Sequence, residues 1–289
     1  MKLARFETAG QSRPRLGVVV GEDSGAQIVP LDALSADWPT MLSIVAGGDA
    51  ALAAVSAHVS ASGERIALSD VTLLAPIERP AKFLAIGMNY RKHAEEARRL
   101  GVAVPENQFW FNKQTSCLAG PYDAIDPGVS EALDYEVELG VVIGKPAKGI
   151  TEEQAPAHVF GYTVMNDVSA RDWQKHSPTF TVGKSFDTHG PIGPWIVTAD
   201  EIGDPHSLAL RCLVNGEVRQ DSDTSGLIHN IWAQIAYLST AFTLESGDLI
   251  ASGTPEGVGV ARNPPAFLKA GDVVRCEVEK IGAIENKVL

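Results

Sequence analysis

The chain has 289 residues, with 24 Lys and Arg against 36 Asp and Glu, and a formal net charge of -12. Hydrophobic residues make up 45% and charged residues 21%, a globular rather than a disordered mix. Such acidity disfavours nucleic acid, whose phosphates need a basic surface, and disfavours anionic membranes. No apolar run approaches the roughly 20 residues of a bilayer-spanning helix. The start, Met1-Lys2-Leu3-Ala4-Arg5-Phe6, shows no apolar core of a leader peptide behind it. Cys117, Cys212 and Cys276 are an odd number without CxxC spacing. A reducing compartment, and hence a cytoplasmic location, is the expectation.

In chain order, residues 16–21 and 27–31 read as short strands around the turn Glu22-Asp23-Ser24-Gly25. Residues 38–62, rich in Ala, Leu and Val, read as helix. Pro76 and Pro80 then mark a boundary. The expected organisation is a small N-terminal α/β domain over 1–77 and a larger domain over 78–289. In the larger part, short Val, Ile and Thr runs are separated by Gly, Pro and Asp. They predict strands near 139–143, 161–165, 193–198, 208–215, 248–251 and 272–278. Helices are predicted at 90–100 and 228–240. Helices do not alternate regularly with strands, which disfavours a TIM barrel or a Rossmann sheet. The class expected is α+β, rich in β.

Several segments carry chemistry. Gly183-Lys184-Ser185 resembles the end of a phosphate-binding loop, but Pro178 stands where its first glycine is required. In Leu133-Asp134-Tyr135-Glu136-Val137-Glu138-Leu139, acids alternate with apolar residues. As a strand, this run puts Asp134, Glu136 and Glu138 on one face. Same-face neighbours lie about 6.5–7 Å apart, close enough for two carboxylates to converge on a cation. The competing reading is an amphipathic strand with its acids in water. Asp167 ends a second apolar run, either as a helix cap or as a further ligand. Three carboxylates with no nearby Cys, and no His in either strand segment, suit a hard cation, Mg²⁺, Mn²⁺ or Ca²⁺, rather than zinc. On a helix His93 and Glu96 are neighbours, either an oriented base or a solvated pair. Lys184 lies in an apolar, glycine-containing stretch. Ser252-Gly253-Thr254-Pro255-Glu256-Gly257 offers backbone N–H groups and the Thr254 hydroxyl for a carboxylate.

Together these segments resemble the fumarylacetoacetate hydrolase superfamily, over roughly residues 80–289. The carriers are Ile86-Gly87-Met88-Asn89-Tyr90 with His93, then Asp134-Tyr135-Glu136-Val137-Glu138-Leu139. Asn166-Asp167-Val168-Ser169-Ala170-Arg171-Asp172, Gly183-Lys184-Ser185-Phe186-Asp187 and the Gly-Thr-Pro loop follow in order. The resemblance implies a β-rich roll of mixed sheets, paired as a homodimer. It implies metal binding by Glu136, Glu138 and Asp167, with Mg²⁺ expected (or Mn²⁺ or Ca²⁺). It implies a water-activating His93–Glu96 pair, an active-site Lys184, and substrate contacts at Gln174, Thr254 and Arg171. Some larger members carry a further acidic ligand seven residues before the histidine. Ile86 stands there, which fits the shorter, bacterial-type branch.

The reaction so implied is metal-dependent hydrolysis of a carbon–carbon bond in a β-diketo acid such as an acylpyruvate. Water activated by His93–Glu96 would attack, and a metal-stabilised enolate would leave. The alternatives on the same scaffold are oxaloacetate-type decarboxylation and enol–keto isomerisation or tautomerisation. A third reading is a binder of metal or organic acid without turnover. The polar segment from residue 91 to about 108 is expected to be a mobile lid. Arg98 and Arg99 are expected on a solvated helix face.

Overall fold

A computed structural model describes residues 1–22 and 25–289, leaving aside the side chains of Gln11 and Ser12. The expected turn at 22–25 therefore lies partly outside the described residues. The N-terminal part contains β1 (Lys2–Thr8), β2 (Gln11–Val20), β3 (Gln27–Pro30), α1 (Met41–Ala61), β4 (Ile66–Ala67) and β5 (Val71–Leu74). Helix α1 starts at Thr40, whose hydroxyl accepts the Ser43 N–H while Ser43 Oγ accepts the Thr40 N–H. This reciprocal cap satisfies two donors that the first turn leaves free.

Helix α1 corrects one expectation. It spans 21 residues at a hydropathy of 1.5, long and apolar enough by composition to cross a membrane. Gly48, at φ 51 and ψ -132, breaks its helical path. Its buried face (Met41, Ile44, Val45, Ala51 and Val55) packs in one core cluster with Leu3, Phe83 and Val142. The interrupted helix serves as a cover for the sheet.

The remaining elements are β6 (Phe83–Gly87), α2 (Arg91–Arg99), β7 (Phe109–Asn112), β8 (Leu118–Ala119), β9 (Leu133–Asp134) and β10 (Val137–Ile143). Next come β11 (Val159–Asn166), β12 (Ser169–Ala170), α3 (Arg171–Gln174), β13 (Gly190–Thr198), α4 (Ala199–Ile202) and β14 (Ala209–Val214). The chain ends with β15 (Glu217–Asp223), α5 (Ile231–Ala241), β16 (Leu249–Ala251), β17 (Val273–Val278) and β18 (Gly282–Lys287).

A 12-stranded sheet runs β4-β3-β2-β1-β13-β11-β10-β16-β6-β7, with β5 on β1 and β8 on β13. A 4-stranded sheet, β15-β14-β17-β18, is separate, and β12 pairs β9 alone. The large sheet is mixed: β6–β16 and β8–β13 are parallel, the other pairs antiparallel. This is the β-rich α+β class that the sequence predicted. Strands from both sides of residue 77 join the one sheet through β1 and β13, with Lys2 opposite Val197.

Strand β10 lies between β11 and β16, and all of its residues are buried. A strand covered on both faces needs a nearly continuous apolar run, which Val137, Leu139, Val141, Val142 and Ile143 supply. Glu138 is the one ionisable residue in that run. The same central position fixes where its carboxylate can go.

Candidate active site

The acid-bearing segment is not one continuous strand. Strand β9 ends at Asp134 and β10 starts at Val137. Glu136 bridges the gap: its N–H donates to Asn166 Oδ1 at 3.0 Å, and its carbonyl accepts the Asp167 N–H at 2.9 Å. These two bonds set Glu136 beside Asp167. Val137 pairs with Asn166 and Glu138 with Met165, which brings all three acids to one place. The ligand oxygens of Glu136, Glu138 and Asp167 lie within 4.8 Å of one another, and all three residues are buried.

Asp134 departs from the expectation that it shares their face. Its carboxylate accepts the N–H groups of Gly259 at 2.7 Å and Val260 at 3.0 Å, and Arg171 Nε at 2.8 Å. It anchors the loop after β16 and takes no part in the cluster. The break at residues 135–136 resets the alternation on which the one-face reading relied.

Three cations meet two of the three acids, Glu136 and Asp167. Lys184 Nζ lies 2.7 Å from Glu136 Oε2 and 2.7 Å from Asp167 Oδ2. Arg171 Nη2 reaches Glu136 Oε1 at 2.5 Å, and its Nη1 donates to Gln174 Oε1 at 3.1 Å. Lys113 was not found from sequence. Its ammonium is buried, donates to Asp167 Oδ1 at 2.6 Å, and also bonds the Lys184 carbonyl. The only local signal for it was a lysine two residues after the apolar run Phe109-Trp110-Phe111. Gln220, equally missed, comes from the other sheet. Its Oε1 accepts the Val137 N–H at 3.0 Å, and its Nε2 donates to Thr254 Oγ1 at 2.8 Å.

Glycine is required where the lysine loop meets α3. A Cβ on Gly183 would sit 2.3 Å from the Gln174 backbone nitrogen. That close approach, with the Ala170 N–H bonding the Gly183 carbonyl at 2.8 Å, delivers Lys184 to the acids.

Two carboxylates on this one segment behave in opposite ways. Burial works to raise the Glu136 pKa, but Lys184 and Arg171 overcome it and hold the group at about 2. Glu138 is pushed well above the usual range by burial, then by the Asp167 and Glu136 charges. Among the described residues the one hydrogen bond to its carboxylate comes from the Gly253 N–H, at 2.7 Å. With Asp134, which shares Arg171, four buried carboxylates face three cations, and Glu138 has no cation of its own. A divalent ion supplies the missing positive charge, and the all-oxygen donor set suits a hard cation. The group therefore fits a divalent metal.

His93 stands on α2 with Nδ1 3.0 Å from Glu96 Oε2, while Glu96 Oε1 accepts the Gly257 N–H at 3.1 Å. The carboxylate acceptor assigns the proton to Nδ1 and leaves the Nε2 lone pair free. Thr254 Oγ1 donates to the Val137 carbonyl at 3.0 Å. A cavity of about 60 Å³ gathers His93, Glu136, Glu138, Arg171, Gln174, Lys184 and Thr254 on its wall. Asp167 stands behind Lys184. Arg98 and Arg99 point to solvent at the end of α2.

The chain matches the family model "Fumarylacetoacetate (FAA) hydrolase C-terminal" over residues 82–289, and the model "Rv2993c-like, N-terminal" over residues 1–76. It is 44% identical to the mitochondrial oxaloacetate tautomerase fahd2 of Xenopus laevis, covering 100% of this chain and 90% of that one. A fumarylacetoacetate hydrolase from Exiguobacterium antarcticum superposes with a TM-score of 0.84 at 35% identity, covering 100% of this chain and 99% of that one. Maleylpyruvate hydrolase from Sphingobium sp. SYK-6, in complex with manganese(II) and pyruvate, gives 0.82 at 32% identity, covering 100% and 99%. These relatives are enzymes, and the chain belongs to the fumarylacetoacetate hydrolase family.

Proposed function

We propose that this protein catalyses enol–keto tautomerisation of a short 2-oxo dicarboxylic acid of the oxaloacetate type. One observation carries the reading: His93, oriented through Glu96, faces the same small cavity as Glu136, Glu138 and Lys184. The similarity to an oxaloacetate tautomerase over the whole chain supports it. A cavity of about 60 Å³ holds only a few waters, and it favours a compact acid over one with a long acyl tail.

The chemistry is a one-proton transfer from oxygen to carbon. Glu136, Glu138 and Asp167 would hold a divalent cation, which when bound would supply Lewis-acid polarisation of the substrate. His93 Nε2 takes the enol proton. The Lys184 ammonium stabilises the charge left on the enol oxygen. His93 then returns a proton to C3, and the keto acid departs. Glu96 keeps the ring turned for both transfers. Leu100 and Val102, exposed just after α2, are apolar side chains that a closing segment would use to exclude water.

Hydrolysis of a diketo acid is the second reading, favoured by the same His93–Glu96 pair, which suits the activation of water. Loss of enol-oxaloacetate absorbance without release of pyruvate separates tautomerisation from decarboxylation. Formation of two acids from an acylpyruvate would establish hydrolysis. His93→Ala should lower kcat by about a hundred- to ten-thousand-fold and leave Mg²⁺ affinity by calorimetry unchanged. Full activity in that variant would refute the role given to His93.

A further inference from the structure

The cavity lining has two unlike parts. One part carries the acids, the cations and His93; the apolar part is made by Ile86, Met88, Phe111 and Phe180, with the Phe111 ring beside Lys184. Two residues of the apolar wall have unusual backbones. Met88 has φ 56 and Phe180 has φ 60, a region that large side chains avoid. Such conformations persist only where the surroundings over-determine them, and they concentrate at functional sites.

The surroundings of Phe180 do over-determine it. Its N–H donates to the Ser177 carbonyl at 3.2 Å, and its own carbonyl accepts the Lys184 N–H at 3.1 Å. Its ring meets Phe109 edge-on at 5.1 Å and Phe111 at 5.9 Å. The Phe111 ring in turn lies 5.1 Å from Lys184 Nζ. Pro178 and Thr179, just before it, are exposed, while Phe180 is half-buried. The ring is thus the outer wall between the cavity and solvent, fixed to the loop that delivers the lysine.

We propose that Phe180, backed by Met88, is a specificity-determining residue that limits the carbon chain an accepted 2-oxo acid can carry. The proposal rests on the reading of this cavity as the substrate site. The polar wall fixes the 2-oxo acid end, so any added length must run toward the apolar wall. There the strained backbones hold Phe180 and Met88 inward, where relaxed ones would swing them aside.

The test uses the full-length protein loaded with Mg²⁺ and calorimetry with pyruvate, 2-oxobutanoate, 2-oxopentanoate and 2-oxohexanoate. Wild-type affinity should fall as methylenes are added. Phe180→Ala should improve 2-oxohexanoate relative to pyruvate by about tenfold or more, the scale of one methylene in an apolar pocket. Phe180→Leu should lie between, and Phe180→Trp should steepen the fall. Thermal melting establishes that each variant is folded, and the Leu and Trp variants decide the matter if the Ala variant is not. An unchanged chain-length profile in folded variants overturns the proposal. A wild type that fails to tautomerise enol-oxaloacetate, yet shows the profile, refutes the proposed reaction and leaves the filter standing. Failure of the wild type to bind any of the four acids overturns the proposal, whereas turnover of enol-oxaloacetate decides the reaction separately.

Discussion

The N-terminal strands and the centre of the large sheet belong to one sheet but are stabilised in different ways. Among the described residues, no buried polar side chain precedes Asn89. Up to that point the interior is Leu3, Phe6, Ile28, Val29 and their like, while charges pair at the surface, as Arg15 does with Asp32. Around β10, by contrast, Lys113, Asp134, Glu136, Glu138, Asp167, Arg171 and Lys184 are all buried. Burying charge costs free energy unless each group is matched, and a matched pair rarely surpasses an apolar one in stability. The difference shows where this protein gives up stability in exchange for chemistry.

Breaking one match at the centre should have the largest effect. Lys113→Met leaves Asp167 with one cation and the Lys184 carbonyl without its donor. Denaturant unfolding should show a loss of about 3–5 kcal/mol. Divalent-ion affinity should rise instead, because a cation that competes for Asp167 has gone. Unchanged stability together with unchanged affinity would contradict this matching.

Protonation probes the same contrast more gently. His189 is buried against Phe186, and burial, then the Lys113 charge, lowers its pKa to about 4. The unfolded chain therefore binds this proton first as pH falls. The stability involved is present above about pH 6.5 and lost as pH falls towards 4. The amount is on the order of 3 kcal/mol. In His189→Gln, urea titrations across this window should show a shallower acid loss than in the wild type. Parallel curves would rule the contribution out.

The smallest effect belongs to the N-terminal surface. Arg15 makes a two-pronged pair with Asp32, at 3.0 and 2.6 Å, yet the aspartate is more than half exposed. Arg15→Ala should cost less than about 1 kcal/mol by thermal melting and leave metal affinity alone. A cost matching that of Lys113→Met would erase the distinction between the two regions.

What could be read from sequence follows the same divide between local and distant causes. Predicted strands at 139–143 and 161–165 appear as β10 and β11 because Val and Ile runs are local signals. Helix α5 starts at Ile231 rather than 228 because Asn230 caps it, accepting the Ala233 N–H. Strand β15 went unrecognised because its Glu217-Val218-Arg219-Gln220-Asp221-Ser222-Asp223 is mostly polar. Glu136 and Glu138 were legible through alternation along one short segment, and Asp167 as the acid at the end of the next apolar run. Asp134 was misread because its partners, Gly259 and Val260, come from 125 and 126 residues away. Lys113 and Gln220 meet their partners across 54 and 83 residues, and no local pattern announces such pairs.

The position of Glu138 inside β10, opposite Met165 on β11, reaches beyond catalysis. Side chains in a strand alternate faces, so a slip of one residue in β10 would turn Glu138 away from Asp167. A misregistered sheet then has no three-acid cluster. A divalent ion held by these acids would act as a proofreading gauge: only a chain assembled in the correct register could be loaded, and loading would favour that register over its neighbours by mass action.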